Sequence, residues 1–328
     1  MAELNILEAI RSAMDEEMER DERVMVLGED VGKKGGVFGA TEGLWAKYGD
    51  KRVLDTPLTE GMIADAAMGA AVYGLRPVAE MQFADFVYPA FNQIVSEISR
   101  IHYRSNGTFR APMVIRMPYG GGVHGALYHS QSNEAYFTHT VGLKIVAPGT
   151  PADAKGLLKA SIRDPDPVMF FEHKKTYRLF KAEVPDGDTV VPIGKANVAR
   201  EGKHLSIFCY GFMRTCALEA AETLAREDGV EAEVVDLRTL RPLDTETVLA
   251  SVAKTGKALV VHEANRFGGF GAEVAATIAE KAFEHLDGPV TRLAGPEVPA
   301  VPYHHALEDW FMIGPARIVA AARTLAAY

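Results

Sequence analysis

Two runs of apolar strand candidates alternating with amphipathic helices, parted by one segment without periodicity, constrain this chain more than anything else in it. In the first run the strand candidates lie at 24–27, 52–54, 78–81, 114–117, 144–147 and 168–171. Helix candidates fall between them. One spans Ile6–Arg20, with Asn5 and Glu8 at capping-box spacing, and an Ala/Gly-rich one starts at Glu60 and runs toward Gly74. A third covers 89–103 through Phe91, Ile94, Val95, Ile98 and Ile101, and a fourth follows Thr150-Pro151, a cap and then proline at the first helical position. Parallel strands need long crossovers, and helices supply them, so the pattern predicts an α/β fold with a mostly parallel sheet covered on both faces.

The periodicity lapses after His173, where Lys174-Lys175, Pro185, Asp186-Gly187-Asp188 and Pro192 cluster. A second, shorter series follows, with strands at 205–210, 232–237, 258–261 and 290–293 and helices at 214–226, 244–253, 271–285 and 315–327. The expected division is a first domain over 1–180, a linker over 181–192 and a smaller α/β domain over 193–328.

Composition removes several classes of function. A net charge of -9 without a dense Lys/Arg run argues against nucleic acid, whose phosphates demand a basic surface. No stretch of 18 apolar residues occurs, and the first residues lack a basic segment followed by an apolar one, so a cytoplasmic chain without membrane attachment is expected. Cys209 and Cys216, seven apart, form neither a disulfide framework nor a CxxC pair.

Candidate chemistry then narrows to few residues. Glu60 is a lone carboxylate where a strand turns into a helix whose Met62, Ile63, Ala66, Ala67 and Ala70 are small or apolar; it is either a helix cap or a proton-transfer group. His124 and His129 flank the Gly/Ser-rich loop 120–132. His304-His305 lacks any HxxxH or HExxH spacing and reads as surface or interface. Three glycine segments, 32–36, 120–122 and 268–271, could aim backbone N–H groups at a phosphate, but none fits a Walker loop or a dinucleotide fingerprint, and tight turns explain them better. Of the three, 268–271 is the best candidate, since it follows a strand and opens a helix. A serine hydrolase is disfavoured, because no Gly-x-Ser-x-Gly occurs.

Several stretches, in order, carry a resemblance: Gly28-Glu29-Asp30-Val31-Gly32, Asp55-Thr56-Pro57-Leu58-Thr59-Glu60, Glu80-Met81-Gln82-Phe83-Ala84-Asp85-Phe86, His129-Ser130-Gln131-Ser132, Asp236-Leu237-Arg238-Thr239-Leu240-Arg241-Pro242 and Val261-His262-Glu263-Ala264. Together they resemble the beta subunits of 2-oxo acid dehydrogenase E1 components. The resemblance implies a transketolase-like pair of domains, the first binding the pyrimidine end of thiamine diphosphate. By position, Glu60 matches the glutamate that contacts N1′ of the aminopyrimidine and Phe86 the aromatic residue stacked on that ring, while Leu58 and Gln82 match further cofactor contacts. His129 matches the active-site histidine that steadies the substrate and helps pass the acyl group to lipoamide; His124 falls at a position expected to vary. Ile162, Asp164 and Asp166 lie in a stretch that holds a structural potassium ion in some relatives.

No Gly-Asp-Gly segment is present to hold Mg²⁺ and the diphosphate: Gly49-Asp50 runs into Lys51, and Gly187-Asp188 lies in the linker. The resemblance therefore implies an E1 alpha subunit supplying that half of the site, in an α2β2 heterotetramer, with a lipoyl-bearing E2 as acyl acceptor. The expected substrate is a 2-oxo acid, branched-chain favoured, with pyruvate or acetoin relatives as alternatives. The rivals from other classes are a transketolase-type half enzyme and a non-catalytic scaffold subunit.

Overall fold

The computed structural model describes residues 2–328. The chain forms two compact units: Met1–Tyr119 with Tyr136–Ile193, and Gly120–Ala135 with Gly194–Tyr328. The loop 120–135 thus leaves the first unit and belongs to the second.

In the first unit the strands lie in the order Lys144–Val146, Val168–His173, Val114–Tyr119, Arg76–Glu80, Val24–Gly28, Val53–Asp55, all parallel. The chain lays Val53–Asp55 on one side of Val24–Gly28 and then crosses to lay Arg76–Glu80 on the other. A topological switch point results, and the crevice outside the carboxyl ends of such strands is where open α/β sheets bind ligands. The strands are buried almost throughout, as two covered faces require.

Helix Ile6–Arg20 packs on helix Pro151–Arg163, and Ile6, Ile10, Met14, Leu157 and Leu158 meet Val24, Val78, Val114 and Phe170 in one core. The capping box forms as expected: Asn5 Oδ1 accepts from the Glu8 N–H at 2.9 Å, and the Asn5 N–H donates to Glu8 Oε2 at 2.9 Å. Thr150 Oγ1 likewise accepts from the Asp153 N–H at 3.1 Å.

The expected helix over 89–103 is broken. A 3₁₀ turn at Tyr88–Ala90, a π-helical stretch at Gln93–Ile98 and a short α-helix at Ile101–Arg104 replace it. Ser99 Oγ donates to the Val95 carbonyl at 2.8 Å, a side-chain bond that competes with the regular ladder. Apolar spacing alone could not register that competition.

The second unit has strand order Thr291–Gly295, Ala258–Asn265, Leu205–Cys209, Ala232–Asp236, Asn197–Arg200, parallel except for the last. Helices Phe212–Asp228 and Pro315–Ala326 bury Met213, Leu224, Ile318 and Leu325 against Ile207, Val234 and Leu259. The edge strand Asn197–Arg200 and the helix His305–Phe311 were missed in the sequence; both are short and lack a clean apolar period.

Candidate active site

Every cofactor residue expected in the first unit leaves the carboxyl end of a strand beside the switch point. Leu58 and Glu60 follow Val53–Asp55, whereas Gln82 and Phe86 follow Arg76–Glu80. Glu60 begins helix Glu60–Val72 and is 7% exposed. Among the described residues no hydrogen bond or ion pair reaches its carboxyl group, so it does not cap its helix and its oxygens are left for a donor from outside the chain.

A second acid lies beside it. Glu29, one residue past strand Val24–Gly28, is buried, and its Oε1 has no hydrogen-bond partner. Burial first, then repulsion from Glu60, Asp30 and Glu80, holds its carboxyl above the usual range. Only the motif Gly28-Glu29-Asp30 marked this residue in the sequence; its closeness to Glu60 comes from strand pairing, which puts Gly28 beside both Asp55 and Glu80.

Phe86 is half-buried in the 3₁₀ turn Ala84–Phe86, its ring centroid 5.3 Å from that of Phe83 at 67°. Gln82 is half-buried, and Leu58 is 79% exposed. A buried acid without a hydrogen-bond partner among the described residues, a half-buried phenylalanine and an exposed leucine fit a flat aminopyrimidine, which needs a hydrogen-bond partner at its edge and apolar surface on its faces.

Beneath this edge lies a buried ion cluster. Arg116 donates through Nε and Nη2 to Glu172 Oε1 and Oε2 at 2.7 and 2.6 Å, and through Nη1 to Glu80 Oε2. Tyr177 Oη adds a bond to Glu172 Oε2 at 2.5 Å. Burial opposes the guanidinium charge, but Glu172 and Glu80 outweigh it and hold Arg116 above its ordinary value.

His129 belongs to the second unit, in the excursion 120–135, where it is half-buried. Carboxylates of that unit hold the excursion at both limbs. Glu263 Oε1 accepts from the Gly121 N–H at 2.7 Å and from Ser132 Oγ at 3.0 Å; Glu308 Oε1 accepts from the Gly122 N–H at 2.8 Å and the His124 N–H at 3.3 Å. Glu308 Oε2 lies 2.5 Å from His124 Nδ1, and His305 Nδ1 is 2.9 Å from the same atom. Glu134 accepts from Tyr210 Oη at 2.5 Å.

Burial pushes the Glu134 carboxyl up to about 7; the Tyr210 bond pulls the other way, and Glu263 adds to the rise. Since the folded value lies above the ordinary 4.5, this group's stabilisation is complete below about pH 4.5 and is lost as pH rises through 7. The full swing is about 3 kcal/mol. Glu134→Gln should abolish it, so the stability advantage of the parent over the variant should shrink from pH 5 to pH 8 in thermal melts. A constant difference would refute the assignment.

The glycine segments prove to be close-packed turns. The Gly32 N–H donates to Asp55 Oδ1 at 2.6 Å, and the Gly121 and Gly122 amides already meet Glu263 and Glu308. At 268–271, the best phosphate candidate by position, a Cβ on Gly271 would stand 2.4 Å from His262 Cδ2 and one on Gly269 2.7 Å from Cε1. These glycines admit a buried imidazole whose pKa burial, and then Arg292, press down to about 4.

At the stretch expected to meet potassium, the carbonyls of Ile162 and Asp164 converge on Arg76 Nη1 at 2.8 and 3.2 Å. Lys144 Nζ grips the Asp164 carboxylate at 2.6 and 2.7 Å, and His102 Nδ1 is 3.1 Å from Asp166 Oδ1. The donors are oxygens, as a hard cation requires, but the side-chain cations of Arg76 and Lys144 already sit on them. The two Gly-Asp pairs are engaged elsewhere: Asp50 accepts from Trp45 Nε1 at 2.6 Å, and Asp188 pairs with Lys159 at 2.9 Å.

Two α/β units in succession, the first with buried Glu60 at its switch point, form a chain of transketolase type, as its family matches show. Residues 2–179 match the family "Transketolase, pyrimidine binding domain" and residues 194–318 "Transketolase, C-terminal domain". The chain belongs to the family of beta subunits of thiamine-diphosphate-dependent 2-oxo acid dehydrogenase E1 components. It is 57% identical to the 2-oxoisovalerate dehydrogenase subunit beta of Bacillus subtilis (strain 168), over 100% of both chains. To the pyruvate dehydrogenase E1 component subunit beta of Staphylococcus epidermidis (strain ATCC 35984) it is 47% identical, covering 94% of this chain and 95% of that one. A solved split-gene transketolase, an inactive beta4 tetramer, superposes with a TM-score of 0.81 at 24% identity over 99% of each chain, a likeness of fold. Among the described residues no helix is long and apolar enough to cross a membrane.

Proposed function

We propose that this chain is the beta half of a heteromeric E1 enzyme that decarboxylates a branched-chain 2-oxo acid and passes the acyl group to a lipoyl-bearing E2. The observation that carries the reading is Glu60, a buried acid with no hydrogen-bond or ion-pair partner among the described residues, at the crevice where open α/β sheets bind ligands. Identity to the 2-oxoisovalerate relative, 57% against 47% for the pyruvate one, supports the branched-chain substrate.

When bound, thiamine diphosphate supplies a nucleophilic carbon at C2 and a sink for the electron pair released with CO₂. Glu60 holds a proton at N1′ of the aminopyrimidine. Phe86 covers the ring face, with Leu58 and Gln82 lining its edge, so the ring keeps one orientation and water is kept from it. His129 orients the substrate and moves a proton during acyl transfer. An alpha subunit brings the Mg²⁺ and diphosphate side. A potassium ion on the carbonyls of Ile162 and Asp164 and on Asp166 belongs to the same reading.

The test is reconstitution with an alpha partner carrying Gly-Asp-Gly. With lipoylated E2 domain as acceptor, 2-oxoisovalerate should be turned over with a kcat/KM about tenfold or more above that of pyruvate, the scale one or two methylenes set in an apolar pocket. Preference for pyruvate would overturn the substrate assignment; turnover of sugar phosphates alone would overturn the reaction.

A further inference from the structure

We infer that Glu263 and Glu308 are positioning residues that hold the His129 loop in working register by occupying its backbone amides. The inference rests on the reading of His129 above, yet it is carried by contacts inside the second unit. A glycine-rich turn with several N–H groups aimed one way attracts an anion. Here Gly120 and Gly122 adopt φ of +85° and +79°, and the anions that meet Gly121, Gly122 and His124 are carboxylates of the same chain.

Both acids are buried, Glu263 at 4% and Glu308 at 1% exposure, and come from different elements: Glu263 from strand Ala258–Asn265, Glu308 from helix His305–Phe311. Glu263 also takes the Ser132 hydroxyl, so one oxygen, Oε1, ties the loop's outgoing limb at Gly121 to its returning limb at Ser132. His129 lies between these limbs. His124 and Ala126 are held at φ of +58° and +56°, a region non-glycine residues seldom adopt unless surrounding contacts impose it. Gly121 is packed so closely that a Cβ would stand 2.9 Å from Met312 Sδ, on the residue that ends the Glu308 helix. Charge-assisted bonds to buried carboxylates hold this shape, alongside the loop's own bonds from the Gly120 N–H to the Gln131 carbonyl at 3.1 Å and from Gln131 Nε2 to the Leu127 carbonyl at 2.8 Å.

The test uses the reconstituted enzyme with its alpha partner and separates two steps. Exchange of the C2 proton of thiamine diphosphate into deuterium oxide reads Glu60; acyl transfer to a lipoylated E2 domain reads His129. Glu308→Ala should keep C2 exchange within about twofold and lower acyl transfer tenfold or more. Glu308→Gln, which can still accept the Gly122 N–H, should recover part of the loss. His129→Ala placed on Glu308→Ala should add little, because both act on one step. Ser132→Ala, a milder change, should raise amide hydrogen exchange across 120–132 without changing the melting temperature by more than a degree or two. Unchanged acyl transfer in Glu308→Ala, or an equal fall in both steps, would overturn the inference. Absence of C2 exchange in the parent enzyme would instead overturn the reading of Glu60, and hydrogen exchange in Ser132→Ala would still decide the loop's restraint.

Discussion

Glu60→Gln in the reconstituted enzyme is expected to lower C2-proton exchange and 2-oxo acid turnover by two to four orders of magnitude, the range a positioned acid contributes. Glutamine keeps the length and can still hydrogen-bond, so folding and cofactor affinity should change by no more than a few fold. What it lacks is an exchangeable carboxyl proton. The neighbourhood sharpens this expectation: Glu29 is close enough to feel the charge of Glu60, and its Oε1 is itself unpartnered. Two crowded acids at a buried edge are costly to keep unless a ligand uses one of them. Full exchange in the variant would leave the scaffold reading standing.

Removing Arg116 should bring the largest loss of stability. Arg116→Met is expected to destabilise the first unit by about 3–5 kcal/mol, because it strands Glu80 and Glu172 as buried carboxylates without their cation. In a unit of this size that lowers the melting temperature by roughly 10 °C. Tyr177→Phe removes one hydroxyl bond to Glu172 and should cost about 1 kcal/mol. Similar melting curves for Arg116→Met and the parent would refute this account. Glu80 closes the strand from which Gln82 and Phe86 depart, so the cluster also fixes the backbone beneath the candidate cofactor edge.

Much of this was legible in the chain because the signals are local. Helix Ile6–Arg20 announces itself by Asn5 and Glu8, and the strands by short apolar runs between turn residues. Glu60 stood out as a lone carboxylate at a strand-to-helix turn followed by small or apolar residues. Less local matters were hidden. The break in the 89–103 helix depends on a serine hydroxyl choosing a carbonyl, and the glycines at 268–271, legible only as a turn or a phosphate loop, are explained by the ring of His262.

Periodicity by itself determined the α/β class and the two successive sheets, and local pattern marked Glu60 and the loop of His124 and His129, since each depends on neighbours within a few positions; the family resemblance of the motifs added Phe86 and the roles of Glu60 and His129. Only the tertiary structure decided that Glu29 crowds Glu60, that Arg116 neutralises two buried acids, and that the His129 loop belongs to the second unit through Glu263 and Glu308. Those contacts join residues 31 to 186 positions apart, including Glu29 with Glu60 and Gly122 with Glu308, and burial gives them their strength. A linear sequence records the charge of such residues but not which of them lose water together.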